Sequence, residues 1–398
     1  MLKRIDLFLP PNVSQYGVLH HFTHKLHEAL QRLGVTSRIL VAQHDNPKPF
    51  LTELFKDVPD CTLSFNGLLP DEDGRFFADL IRIPHVAFVV DSPNTFVSLA
   101  NSPFTVIASV DQNAVEFFRG VNARNVLFIP HGVEKTLSYP SLDEERNLDV
   151  VMLASCIDYE ALESEWKQNY PVALQEVLRE SAEKALMDEN TSVVQAFVGA
   201  MDKKMAEGAP LDPNTIDFIE ILDQLEMYIR GKERVELIRN IKDAKIHIFG
   251  TAAPTTTWKK QLNNQSNVEF HEGISYEQAL QVMQKSKIVL NSCAWIKKGL
   301  HERSLAGMAA GALVLTSHNS FLEESGFIDG KNIAFYTYKD LSKVNETVNH
   351  YLKNDSLRKQ VAQAGRELVM HHHTWDMRAS ALVKELDPII RQIRATNA

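Results

Sequence analysis

Residues 5–42 read IDLFLPPNVSQYGVLHHFTHKLHEALQRLGVTSRILVA, and the order of patterns inside them decides the fold. Ile5–Leu9 is a short apolar run followed by two prolines, which reads as a strand. After a loop over residues 10–17, apolar residues recur at 18, 19, 22, 26, 30 and 33. That is the spacing of one helix face, and Gly34 stops it. Residues 37–42 supply the next strand. Strand, crossover helix, strand is the unit of a parallel sheet covered by helices.

The alternation continues outward. Residues 62–65, 85–90, 105–109 and 125–129 read as further strands, enough for one doubly wound domain. A second series runs through 148–154, 245–249, 268–270, 288–291 and 312–316. Between its first two strands, residues 159–242 are rich in Glu, Leu, Lys and Ala at helical spacing and read as a helical insertion. Charged groups there, such as Glu176, Arg179 and Glu180, read as solvated helix surface. An amphipathic helix over residues 375–394 closes the chain. The expectation is an α/β protein of two Rossmann-like domains facing a cleft. Residues 1–135 form the first, 136–370 the second with the insertion, and 371–398 a terminal helix.

A length of 398 residues suits two domains, and 44% apolar with 23% charged residues is ordinary globular composition. The net charge of −9 argues against a nucleic-acid partner, because nothing offsets repulsion from phosphates over a broad surface. Cys61, Cys156 and Cys293 lie far apart, so neither a disulfide framework nor a zinc site is suggested. The first apolar run is too short for a signal-peptide core, and no stretch approaches the roughly 20 residues that span a bilayer. The expected place is the cytoplasm. Peripheral membrane contact and the oligomeric state stay open.

Ligands of open α/β sheets bind beyond the carboxyl ends of the strands. The most informative stretch there is residues 297–311, KKGLHERSLAGMAAG. Lys297, Lys298, His301, Glu302 and Arg303 gather at a helix N-terminus, where free N–H groups and the helix dipole favour a diphosphate. Arg303 can add a bidentate contact, while Glu302 suits ribose hydroxyls. The bland alternative is a basic first turn, which is disfavoured without an anion. Gly250 and Thr251, after the strand KIHIF, are a second anion candidate or an ordinary turn. Gly17 either lets the backbone approach a ligand or makes a tight turn.

His20, His24 and His27 share a helix face and read as a polar stripe rather than a metal site, with His20 placed to act as a base. His371, His372 and His373 point in different directions on a helix. No metal site is expected. Asp91, in VVDSPN, is either a cleft carboxylate or a turn cap.

Four segments resemble a known family. Residues 128–134, FIPHGVE, resemble the IPNGV segment that joins the two domains of many GT-B glycosyltransferases, with His131 in place of asparagine. Residues 267–274, NVEFHEGI, are similar to the loop that receives the nucleotide base, which implies donor contacts at Gly273 and Ile274. Residues 301–317 resemble the donor-site helix and following strand, with Glu323 in the usual loop. His373, Thr374, Trp375 and Arg378 look like the kink that returns the terminal helix to the N-terminal domain.

Within this fold the likeness is closest to CgeB-like bacterial glycosyltransferases and spans nearly the whole chain outside 159–242. It implies a transferase that uses a nucleoside-diphosphate sugar as co-substrate, with no cofactor and no metal, and a protein or surface glycan as acceptor. The large retaining families carry a glutamate where this chain has Ala306, eight residues after another glutamate, and here Lys298 holds that earlier position. An inverting route needs a base from the N-terminal domain, Asp91 or His20. The missing glutamate pair also leaves room for a catalytically silent GT-B scaffold that binds a nucleotide sugar or a partner protein.

Overall fold

The runs read as strands assemble into two parallel sheets. The computed structural model describes residues 2–10, 15–41, 46–135, 145–293 and 295–396. The chain divides into two compact units, Met1–Leu137 with Met370–Ala398, and Ser138–Val369.

In unit 1 the strands are β1 (Ile5–Leu9), β2 (Ile39–Val41), β3 (Cys61–Phe65), β4 (His85–Val89), β5 (Thr105–Ser109) and β6 (Val126–Phe128). They form one sheet in the order β2-β1-β3-β4-β5-β6, parallel throughout. The interior strands are buried on both faces, which is why they read as continuous apolar runs. Helices α1 (Val18–Arg32), α2 (Pro47–Lys56), α3 (Phe77–Ile81) and α4 (Gln112–Gly120) connect them. Residue 42 of the second expected strand and residues 11–14 of the first loop lie outside the described residues.

In unit 2 the strands are β7 (Leu148–Leu153), β8 (Ile246–Phe249), β9 (Val268–His271), β10 (Ser286–Asn291), β11 (Leu313–Ser317) and β12 (Ala334–Tyr336), in the order β12-β11-β10-β7-β8-β9. β12 escapes sequence reading because its three residues are too few to show a period. The helices are α5 (Tyr159–Asn169), α6 (Val172–Met187), α7 (Val193–Ala206), α8 (Phe218–Asn240), α9 (Trp258–Gln261), α10 (Tyr276–Gln284), α11 (Glu302–Ala309), α12 (Ser320–Glu324) and α13 (Val344–Lys353). The segment expected as an insertion is helical, but it is not peripheral. Trp166, Leu178, Phe197, Leu225 and Ile229 share one core with Val150, Ile246 and Ile288 of the sheet. α8 is the crossover that delivers the chain to β8. On the surface of α6, Glu176 pairs with Lys204 and Glu180 with Lys203 of α7.

The last helices are α14 (Asp355–His372) and α15 (Trp375–Thr396). Within unit 1, Trp375 is buried against Phe22, Phe65 and Phe88, at ring separations of 5.3, 6.0 and 6.5 Å. The FIPHGVE and HTW segments bind each other directly. Val133 N donates to His373 O at 2.9 Å, Trp375 N donates to Val133 O at 2.9 Å, and Arg378 Nε donates to His131 O at 2.8 Å. A Cβ on Gly132 would lie 3.0 Å from Trp375 N, so this approach favours glycine.

His85 opens β4 inside the sheet, with Thr62 Oγ1 2.8 Å from Nδ1 and Ser64 Oγ 2.9 Å from Nε2. Burial pushes its pKa down to about 3. In the unfolded chain an imidazole binds a proton below about pH 6.5, while the folded one stays neutral. The group therefore costs nothing above that pH. Stability falls by about 1.4 kcal/mol per pH unit as pH drops from 6.5 towards 3. Urea unfolding of wild type and His85→Gln across pH 7 to 4.5 should show a shallower decline in the variant. Equal slopes would overturn this account.

Candidate functional site

In unit 2 the chain runs from β7 through β8 to β9 on one side, then returns to β10 on the other side of β7. The switch point thus lies between β7 and β10, and the carboxyl ends of these strands are where a ligand finds open loops. Ser155 follows β7, Gly250 and Thr251 follow β8, and Asn291 ends β10 with Ser292 and Cys293 after it.

These ends are tied together. Thr251 Oγ1 donates to Ser155 Oγ at 3.1 Å, and Cys156 N donates to Thr251 O at 2.9 Å. A Cβ on Gly250 would stand 2.0 Å from Ala154 O. Close packing of two strand ends accounts for that glycine.

Asn291 is buried and organises the next side. Its Nδ2 donates to Ser304 Oγ and Thr316 Oγ1, each at 3.0 Å. Its Oδ1 accepts from Arg303 Nη1 at 2.8 Å, which holds that guanidinium over the end of β10. His301 caps α11, its Nδ1 3.1 Å from Arg303 N and 2.8 Å from Glu302 Oε2. The tautomer decides which of the two it serves. Burial holds the His301 pKa below its ordinary value, against the pull of Glu302.

Two further arginines arrive from α8. Arg234 is buried and donates from Nη1 to Ser155 O at 2.9 Å. Burial, then the charges of Arg303 and Arg230, lower its pKa to about 9, with Glu233 opposing. Arg230 lies over the Trp295 ring at 4.1 Å and pairs with Glu226 at 2.5 Å. The Nε atoms of Arg230 and Arg234 and the Oγ of Ser292 are buried without a hydrogen-bond partner among the described residues. Three guanidiniums that repel one another, at strand ends and beside a helix N-terminus, form a cradle suited to an anion of high charge. Gly231, between the two α8 arginines, lets the helix approach, since a Cβ there would meet Ile157 Cγ2 and Tyr159 Cβ at 3.0 Å.

Sequence reading placed Arg303 here but missed Arg230 and Arg234, because charged residues at i, i+4 on a long helix resemble a solvated stripe. A lone mid-helix glycine, costing roughly 0.5–1 kcal/mol against alanine, was the available signal.

Lys297 is corrected. It is buried, and its Nζ donates to Ala185 O at 2.6 Å and Asp188 O at 2.8 Å, so it caps the end of α6 rather than facing a diphosphate. Burial lowers its pKa to about 8. Glu233, Cys293 and Tyr336 line the same small cavity, where Tyr336 OH donates to Glu233 Oε1 at 2.8 Å. Glu323 lies in α12, its Oε1 3.1 Å from His318 Nε2. Lys298 is half-buried, and Glu302 begins α11. Gly273 and Ile274 follow β9, just before Ser275 caps α10.

In unit 1 the chain turns after β3 through two left-handed residues, Asn66 (φ 61°) and Gly67 (φ 70°). Asn66 Nδ2 donates to Asp91 Oδ2 at 2.7 Å, and its Oδ1 accepts from Val90 N at 3.0 Å. Asp91 is therefore held at the carboxyl end of β4. Gly17 precedes α1 at φ 82°, a left-handed position that explains the glycine. His20 lies in the first turn of α1 with Nδ1 buried and unpartnered among the described residues. Its neighbour His21 is committed elsewhere: Glu134 Oε1 lies 3.1 Å from His21 Nε2 and 3.0 Å from Lys25 Nζ.

Residues 231–384 match the model of a family described as glycosyl transferase-like. No curated protein matches the sequence. Among solved structures, the chain is similar to HepE from Anabaena in complex with UDP-glucose, at 11% identity and a TM-score of 0.56, over 97% of this chain and 99% of that one. It is similar to sucrose-phosphate synthase from Thermosynechococcus elongatus, at 12% identity and a TM-score of 0.55, over 99% and 100%. It is also similar to AviGT4, a glycosyltransferase involved in avilamycin A biosynthesis, at 10% identity and a TM-score of 0.53, over 100% and 99%. The fold is that of the GT-B glycosyltransferases, α/β with two parallel six-stranded sheets. Among the described residues, no helix is long and apolar enough to cross a membrane.

Proposed function

We propose that this chain transfers a sugar from a nucleoside-diphosphate sugar to an acceptor hydroxyl, and that Arg230, Arg234 and Arg303 hold the donor diphosphate. The observation that carries the reading is the crowding of three guanidiniums at the β7/β10 switch point, with Asn291 and Ser155 fixing two of them. The match of residues 231–384 to a glycosyl transferase-like family supports it, and that span contains Arg234 and Arg303. So does the donor named for HepE.

As the anomeric bond breaks, negative charge grows on the departing diphosphate. The guanidiniums and the α11 N-terminus are placed to stabilise it, so the step calls on no divalent ion and no cofactor at that site. The proton of the acceptor hydroxyl goes to Asp91 or His20. Asn66 holds the first in place, and the second has a ring nitrogen, Nδ1, without a hydrogen-bond partner among the described residues. Helices α5–α7 are assigned to recognition of a protein or glycan acceptor. The three free, buried cysteines accord with a reducing compartment, the cytoplasm.

Arg303→Ala should raise the donor KM and lower kcat together, because its contact strengthens as charge develops. Thermal shifts of wild type with a panel of nucleoside diphosphates and their sugars, in EDTA, should single out one base, and the variant should lose that shift. Binding without sugar transfer or hydrolysis would favour the silent scaffold. No shift with any nucleotide would remove sugar transfer and leave a scaffold that binds a partner protein.

A further inference from the structure

Strands β8 and β9 form the outer pair of the unit 2 sheet. Their register sets His247 opposite Glu269 and Phe249 opposite His271. Side chains two apart share a face, so all four stand on one side of the sheet. There His247 Nδ1 lies 3.1 Å from His271 Nε2. Glu269 Oε2 lies 3.9 Å from His247 Nδ1, and its Oε1 lies 3.7 Å from His271 Nε2.

Two ligands that each sit about 2.0–2.1 Å from a tetrahedral ion are about 3.3–3.4 Å from one another. The two ring nitrogens already stand close to that spacing, and one donor atom from each of the three residues can be chosen so that all lie within 4.8 Å of one another. The rings are also held. His271 stacks on Phe249 at 4.2 Å and 10°, and His247 lies nearly parallel to His271 at 5.4 Å and 22°. His247 is buried while Glu269 is exposed, which leaves the remaining coordination position facing solvent. Lys245 Nζ, 2.6 Å from Glu269 Oε2, draws the carboxylate over the pair and would share it with an ion.

We propose that His247, Glu269 and His271 bind one divalent transition-metal ion of the zinc class, with water in the open position. Two imidazoles and one carboxylate suit Zn2+, Ni2+ or Cu2+ rather than Mg2+ or Ca2+. The ion clamps β9 to β8 directly before Glu272, Gly273 and Ile274. The site is separate from the arginine cradle and stands whether or not the chain transfers a sugar.

Zn2+ alone, titrated into the full chain in competition with a chromophoric chelator, should fill one site per chain. His271→Ala should weaken it by more than about 100-fold, beyond what loss of an outer-shell partner costs, and Glu269→Gln should weaken it measurably. Both positions are at least partly exposed, so the variants should stay folded, which circular dichroism checks. Co2+ in the same site should show visible absorption bands that His271→Ala abolishes. Substitution of His371 and His372 by alanine should change nothing. The absence of stoichiometric binding, or binding that survives His271→Ala and Glu269→Gln, would overturn the proposal.

Discussion

Arg234→Met should weaken binding of the nucleoside diphosphate that the thermal-shift panel selects by about 2–5 kcal/mol, roughly 30-fold to several thousand-fold, while the protein stays folded. Arg234 is buried, carries an unpartnered Nε, and is crowded by Arg230 and Arg303. With its pKa near 9 it remains charged at neutral pH, so the unliganded protein holds three repelling guanidiniums together. A diphosphate relieves that repulsion, and methionine of similar length cannot. Two effects oppose each other in the free protein. The variant loses the charged hydrogen bond to Ser155 O, worth about 1.5–3 kcal/mol. It also sheds the desolvation and repulsion of a buried cation, a gain of comparable size. Net stability should therefore move little. Calorimetric titration with that nucleoside diphosphate and urea unfolding of the same sample separate the outcomes. Unchanged affinity would remove Arg234 from the donor site, and loss of fold together with binding would make its role structural.

Trp375→Ala should cost about 3–5 kcal/mol, the range for emptying a large aromatic site. Domains hold only about 5–15 kcal/mol in total, so unit 1 would lose a large share of its stability. The indole fills the space between α1 and β3–β4 against Phe22, Phe65 and Phe88. Its backbone N–H also closes the bridge to Val133. Hydrogen exchange should quicken in β3 and β4 while β7 and β10, which belong to unit 2, keep their protection. Uniform change across both sheets, or none, would contradict this picture.

Much of the architecture was legible along the chain, because strand and helix periods are local. β1, α1 and β2 follow from apolar spacing, two prolines and one glycine, and the second sheet repeats the same grammar. Arg303 was legible too. Its place at a helix N-terminus after a strand is a matter of order, and Asn291 then aims it.

What the sequence by itself determined is therefore the alternation of elements and the two-sheet fold, with the HER helix at the carboxyl end of a strand as a candidate. Tertiary structure alone decided which charges gather at the strand ends. Lys297 and Arg303 lie in one basic stretch, yet the carbonyls ending α6 claim the lysine while the end of β10 claims the arginine. Arg230 and Arg234 share the i, i+4 spacing of a solvated face, and only the crossover of α8 buries Arg234 and half-buries Arg230. His247, Glu269 and His271 meet only through the β8–β9 register. The reason is physical: periodicity reports how a segment faces, whereas the partner it faces is chosen by packing between segments distant in the chain.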